Sequence, residues 1–187
     1  MSRGPAGAPD AIDVGGLAVA PGTRANVEIP VARLPTQTFL SLPVAVLHGA
    51  RGGPAMWVSG AVHGDEVNGI EIVRRVLDRV DPATLRGTLY AVPIVNVFGF
   101  LAGSRYLPDR RDLNRCFPGS ARGSLASRIA ALFVRAVVTR CGYGIDLHTA
   151  TDHRTNLPQI RADLDDPETL RVARAFGAPV MLHSRTR

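Results

Sequence analysis

Pro54–Glu66, PAMWVSGAVHGDE, is the stretch whose reading decides the fold. From Pro54 to Val62 it is a continuous apolar run without polar alternation, as expected of a strand covered on both faces. It ends abruptly in His63-Gly64-Asp65-Glu66. The following EVNGIEIVRRVLDRV, 66–80, places Val67, Ile70, Val73 and Leu77 near helical spacing, and Asp81-Pro82 ends that helix. Outward from this strand–turn–helix the pattern continues. TLYAVPIVN, 88–96, reads as a second buried strand, and LASRIAALFVRAVVTR, 125–140, as an amphipathic helix with Ser124 as N-cap. GYGIDLHT, 142–149, is a short strand with a histidine at its end, and DDPETLRVARAFG, 165–177, is a helix with Pro167 near its start and Gly177 as its stop. APVMLH, 178–183, begins another strand, and residues 17–48 read as several short strands. Strands alternating with helices define an α/β protein: a mixed, largely buried sheet flanked by helices. Residues 97–120 form a Gly/Pro/Arg-rich loop, and loops of that length are usually functional.

Composition bounds the function. The 187 residues are 45% hydrophobic and 20% charged, enough for a packed core and against bulk disorder. No apolar run reaches the roughly 18 residues that span a bilayer. Residues 1–16 are expected to be a disordered tail, with 17–187 as one domain. The start lacks the apolar core of a signal peptide, so a cytoplasmic location is expected, with no membrane partner. The net charge of +6 comes from arginine alone, spread along a chain with 5% aromatics. A dense basic stripe with interleaved aromatics is absent, so nucleic acid is not an expected partner. Cys116 and Cys141 have no metal or redox spacing and read as idle thiols. His48, His183 and Trp57 read as structural.

Sites in open α/β sheets lie beyond the carboxyl ends of strands. Two strands here end in histidine. The first supplies His63 and Glu66, the second His148. Singly, each has a bland reading as a loop histidine, a helix-start carboxylate or a strand-end histidine. Jointly, two imidazoles and a carboxylate are a standard catalytic zinc set, so Zn2+ is the expected cofactor, one per chain. Asp146 lies on the same side of its strand as His148, either supporting it or serving as a polar strand end. In the long loop, Arg115 offers a fork for a carboxylate, and Asn114 adds directional hydrogen bonds. Arg110 and Arg111 read as solvated. His153 and Asn156 either line the pocket or are ordinary turn residues.

AVHGDEVNG, GSRYLPDRRDLNRCFPGS and DLHTATDHRTNLPQIR, in that order, resemble the succinylglutamate desuccinylase/aspartoacylase family, itself related to zinc carboxypeptidases. The resemblance runs from about residue 20 to the end. It implies a zinc-carboxypeptidase-like αβα sandwich with His63, Glu66 and His148 as zinc ligands. It further implies Asn114 and Arg115 on the substrate carboxylate, and Arg105 as the catalytic arginine that polarises the scissile carbonyl. The implied activity is deacylation of a small, carboxylate-bearing N-acyl amino acid by cleavage of an amide or ester bond. A carboxypeptidase-like peptidase would use the same residues. The family's general-base glutamate lies in a strand well beyond the second histidine, and no residue between His148 and Arg187 matches it. The expectation is therefore the N-terminal part of a catalytic domain, weak or inactive by itself. That keeps a non-catalytic zinc- or ligand-binding module in view, and leaves self-association into a homo-oligomer open.

Overall fold

The computed structural model describes residues 9–151 and 154–185. They fall into two compact units, the first ending at residue 152 and the second beginning at residue 153. The sequence led to one domain over 17–187.

The first unit opens with a hairpin of β1 (Ile12–Val14) and β2 (Leu17–Val19). Its first strand lies inside the expected tail, because Val14 and Val19 are each 1% exposed and belong to the core. Residues 1–8 are outside the described residues. Next come β3 (Thr23–Arg33) and β4 (Phe39–His48), two long antiparallel strands where several short ones were expected. Pro43 does not interrupt β4. Its inner neighbour in the sheet, the strand over Arg86–Val92, pairs with β4 only over Ala45–His48, so it needs no N–H from Pro43.

β5 (Arg51–Gly60), α1 (Asn68–Arg79), β6 (Arg86–Val92), α2 (Val97–Leu101), α3 (Leu125–Ala136) and β7 (Tyr143–Leu147) complete this unit. The sheet order is β3-β4-β6-β5-β7. β5 runs parallel to both its neighbours, while β3, β4 and β6 pair antiparallel, so the sheet is mixed as expected. Alternate residues serve opposite faces. Val44, Val46, Tyr90 and Val92 pack with Ile129, Ala130 and Phe133 of α3. Ala45, Leu47, Leu89 and Ala91 pack with Val73 and Leu77 of α1. A helix on each face explains why Val44–Leu47 and Leu89–Val92 run apolar without polar alternation. Trp57 is half-buried and meets Phe133 edge-on at 5.5 Å.

On α1 the inward residues are Gly69, Val73 and Leu77, while Val67 is exposed. Gly69 is needed for close approach: a Cβ there would stand 3.1 Å from Leu147 Cβ and 3.3 Å from Gly60 Cα. α1 therefore begins hard against the ends of β5 and β7. Ser124 caps α3 as expected, accepting from the Ser127 N–H at 3.3 Å.

In the second unit, β8 (Gln159–Ala162) and β9 (Val180–His183) pair in parallel and α4 (Pro167–Phe176) connects them in sequence. Asp166 caps α4 through the Thr169 N–H at 2.7 Å, and Gly177 ends it at φ 76°. No described helix is long and apolar enough to cross a membrane.

Candidate metal centre

Two parallel strands, β5 and β7, end side by side, and the candidate ligands follow both ends. Beyond Gly60 the chain turns through Ala61 at φ 48°. Val95 and Asn96 donate their N–H groups to the carbonyls of Gly60 and Ala61 at 3.1 and 2.9 Å, tying this turn to the segment after β6. The Glu66 N–H donates to the His63 carbonyl at 3.1 Å, which brings both side chains together. Gly64 lies within this turn. A Cβ there would collide with the backbone of Gly99 and Phe100 in α2, so the chain needs glycine for close approach.

His63 and Glu66 are 3% and 2% exposed, while His148 lies on the open side. His63 Nδ1 stands 2.7 Å from Glu66 Oε1, and His148 Nδ1 stands 2.9 Å from Glu66 Oε2. One ligand atom from each residue falls within a 4.8 Å cluster. The Thr149 N–H donates to Oε2 at 2.8 Å and Thr151 Oγ1 to Oε1 at 3.1 Å. Burial pushes the Glu66 carboxyl up, but the bonds from His148, His63 and Thr149 outweigh it and hold it well below the usual range.

The outer nitrogens also face carboxylates. His63 Nε2 is 3.1 Å from Asp112 Oδ1, and His148 Nε2 is 2.7 Å from Asp146 Oδ2. Asp146 Oδ1 in turn accepts from Ser59 Oγ at 2.6 Å, across the β5–β7 pair. Metal-bound imidazoles characteristically donate their other N–H to such a partner, which fixes the ring and its tautomer. Of the two readings of Asp146, its contact with His148 favours support. Burial alone would lower the His148 proton affinity. Asp146 and Glu66 overcome it and push the value up to about 10. Two imidazoles and a carboxylate, converging with their outer nitrogens engaged, fit a zinc ion.

The long loop delivers the remaining candidates, and it is not structureless. It contains α2 and a 3-10 turn, Leu113–Arg115. Asn96, fully buried, caps α2 through the Gly99 N–H at 2.8 Å and donates to the Arg105 carbonyl at 3.3 Å. Arg105 donates from Nη2 to Asp112 Oδ2 at 2.9 Å and from Nη1 to Thr151 Oγ1 at 2.7 Å. Its Nη1 lies 3.2 Å from His63 Nδ1 and 3.6 Å from Glu66 Oε1. Asp112 is the junction. Its Oδ1 also accepts from the Asn114 N–H at 2.9 Å, so one carboxylate holds His63, Arg105 and the turn bearing Asn114 and Arg115. Burial raises the Asp112 carboxyl, but Arg105, the Asn114 N–H and the nearby His63 outweigh it and leave it below its ordinary value. Arg115 is exposed and donates to the Asn114 carbonyl at 3.2 Å. The structure thus gathers His63, Glu66, His148 and Arg105 directly, and joins Asn114 and Arg115 to them through the backbone of the turn.

Sequence reading missed Asp112, Thr151, Ser59 and Asn96. Asp112 was legible as a turn cap two residues before Asn114. The other three carry no local signal. His153 lies outside the described residues, and Asn156 is exposed in the second unit. His48 is structural as read, bonded to Thr88 Oγ1 at 3.0 Å and the Asp10 carbonyl at 2.9 Å.

With this geometry in place, residues 52–187 match the family model of the succinylglutamate desuccinylase/aspartoacylase catalytic domain. The chain belongs to that family. It is 36% identical over 145 residues to an N-alpha-acetyl-L-2,4-diaminobutyric acid deacetylase from Halomonas elongata, covering 74% of this chain and 42% of that protein. It is 32% identical over 136 residues to a probable aspartoacylase from Parasynechococcus marenigrum, covering 67% and 44%. A solved succinylglutamate desuccinylase/aspartoacylase from Rhodobacter sphaeroides superposes with TM-score 0.75 at 28% identity, covering 84% of this chain and 51% of that one. The chain spans less than half the length of these two curated relatives.

Proposed function

We propose that this chain carries the zinc- and substrate-carboxylate-binding part of an amide hydrolase that deacylates a small N-acyl amino acid. The observation that supports it most is the convergence of His63 Nδ1, Glu66 and His148 Nδ1 beside an anchored arginine. The family and the deacetylase relative support the reaction class. Zinc held there supplies a Lewis acid and lowers the pKa of water toward ~7. The chain's own residues do the rest. Asp112 and Thr151 hold the Arg105 guanidinium, which has donors to spare for the oxygen on which negative charge develops. Asn114 and Arg115 grip the substrate carboxylate, in a register tied to His63 through Asp112. Asp146 and Ser59 fix the ring of His148.

The experiment is zinc analysis of the purified chain, followed by titration of the zinc-loaded protein with N-acyl amino acids and with blocked peptides. One zinc per chain and preference for the N-acyl amino acids are expected. Preference for peptide C-termini would replace this reading with a peptidase. A chain without zinc would end it.

A further inference from the structure

Away from the metal centre, the β1–β2 hairpin and α3 border a second cavity, of about 340 Å³, a size usual for small-molecule sites. Asp13 belongs to the hairpin, Leu132, Arg135 and Ala136 to α3, and Ile29 to β3. Arg140 completes the lining from the 3-10 turn Val138–Arg140. That turn leads into the start of β7, whereas His148 follows the end of the same strand. The cavity therefore lies at the opposite end of β7 from the candidate metal ligands.

Opposite charges line this cavity without meeting. Arg140 is anchored: its Nη1 donates to the Asp13 carbonyl at 2.6 Å, and its guanidinium also hydrogen-bonds the buried Tyr90 hydroxyl. Asp13 is held in the hairpin turn, where its Oδ1 accepts from the Gly16 N–H at 3.4 Å. Its carboxylate enters no ion pair among the described residues, and the Arg135 guanidinium has neither an ion pair nor a hydrogen bond among them. Asp13 is placed by the turn and Arg135 by its helix, so the two charges stay apart. Between them, Ile29, Leu132 and Ala136 supply an apolar lining.

These groups select by charge. A polyanion meets the Asp13 carboxylate, and a simple cation meets two guanidiniums. A neutral apolar molecule takes water from charged groups and returns no bond. A small molecule that carries one carboxylate, one ammonium and an aliphatic body satisfies all three. We propose that this cavity is a second ligand site, separate from the metal centre, and that it takes a free aliphatic α-amino acid. The ligand carboxylate goes to Arg135 and Arg140, its ammonium to Asp13, and its side chain to Ile29, Leu132 and Ala136. This site is independent of the function proposed above.

The test is a chemical-shift titration of the isotope-labelled chain with L-leucine, with isocaproate, which lacks the amine, and with L-leucinamide, which lacks the carboxylate. L-Leucine is expected to saturate, moving the signals of Arg135, Leu132 and Gly15 most. Each truncated compound should bind at least ~5-fold more weakly, as for loss of one partly exposed charge-assisted bond. Arg135→Gln should weaken L-leucine by the same factor, and Asp13→Asn should weaken L-leucine but not isocaproate. Both side chains are exposed, and zinc content read on each variant should match wild type. The compound series on wild type stands by itself should a variant fold poorly. Absence of a saturable shift with L-leucine would overturn the proposal, as would equal binding of isocaproate and L-leucine, or wild-type affinity in Arg135→Gln. Loss of L-leucine binding in Arg115→Ala but not in Arg135→Gln would also overturn it, by moving the ligand to the metal centre. None of these outcomes touches the deacylase reading, which stands or falls on zinc content and substrate preference.

Discussion

Two places among the described residues gather histidine and carboxylates closely enough to hold a metal ion: His63, Glu66 and His148 in the first unit, and Asp163, Asp165 and His183 in the second. By residue type they are near equals, and only their surroundings differ. In the first, two of three ligands are buried, both imidazoles have their outer nitrogens on carboxylates, and Glu66 receives four hydrogen bonds. In the second, His183 is 3.9 Å from Asp163 and 3.8 Å from Asp165, its Nδ1 accepts from the Leu164 N–H, and Asp165 is paired with Arg185 at 2.8 Å. Such exposed pairs are loosely held and contribute little. A metal site is thus distinguished less by its ligands than by the groups that hold the ligands still.

The comparison breaks most sharply on ligand removal. His148→Ala or Glu66→Ala should abolish stoichiometric zinc, a loss in affinity above ~100-fold, while His183→Ala leaves zinc content unchanged; elemental analysis after dialysis reads both. Equal zinc in wild type and His148→Ala would sink the assignment. One step out, Asp146→Asn should weaken zinc by about 10–100-fold in a chelator competition, with Ser59→Ala weaker in the same direction. No effect from either would mean that the Ser59–Asp146–His148 chain is decorative.

Acidity sharpens the contrast further. His148 keeps its proton up to about 10 in the metal-free protein, so across neutrality zinc must displace it. Zinc affinity should therefore climb with pH, by up to ~10-fold per unit between pH 6 and 9, as fluorescence competition at fixed pH would record. The same raised value means that the stabilisation His148 contributes without metal is present in full below its ordinary 6.5 and is lost as pH rises through about 10. The smallest effect belongs to the second cluster: Asp163→Ala should move the melting temperature by no more than about 2 °C and leave zinc content alone. A larger shift would show that these exposed pairs hold the second unit together more firmly than their distances suggest.

Much of this was written along the chain. The apolar run at 54–62, the helical spacing after it and the histidines at two strand ends predicted a buried, helix-covered sheet and the three ligand candidates, because strand burial and strand-end placement leave local marks. The Asn114–Arg115 pair was marked by its loop. The expected tail was too long, since the pairing of Ile12–Val14 with Leu17–Val19 and the burial of Val14 depend on a sheet distant in sequence. The 97–120 segment read as plain loop because a five-residue helix and a 3-10 turn are too short for periodicity to register.

What the sequence determined by itself was which residue types stand at the ends of β5 and β7, and hence which chemistry the site can attempt. What only the tertiary structure decided was how each carboxylate is used. Asp65, Glu66, Asp112 and Asp146 are all acids within or beside recognised motifs, and of these the local pattern singled out only Glu66 as a metal ligand. Folding brings two imidazoles to Glu66, a guanidinium and an imidazole to Asp112, an imidazole and a hydroxyl to Asp146, and no donor at all to Asp65 Oδ1. The reason is physical: a carboxylate's role is set by the donors and solvent around it, and those come from strands and loops far away in the chain.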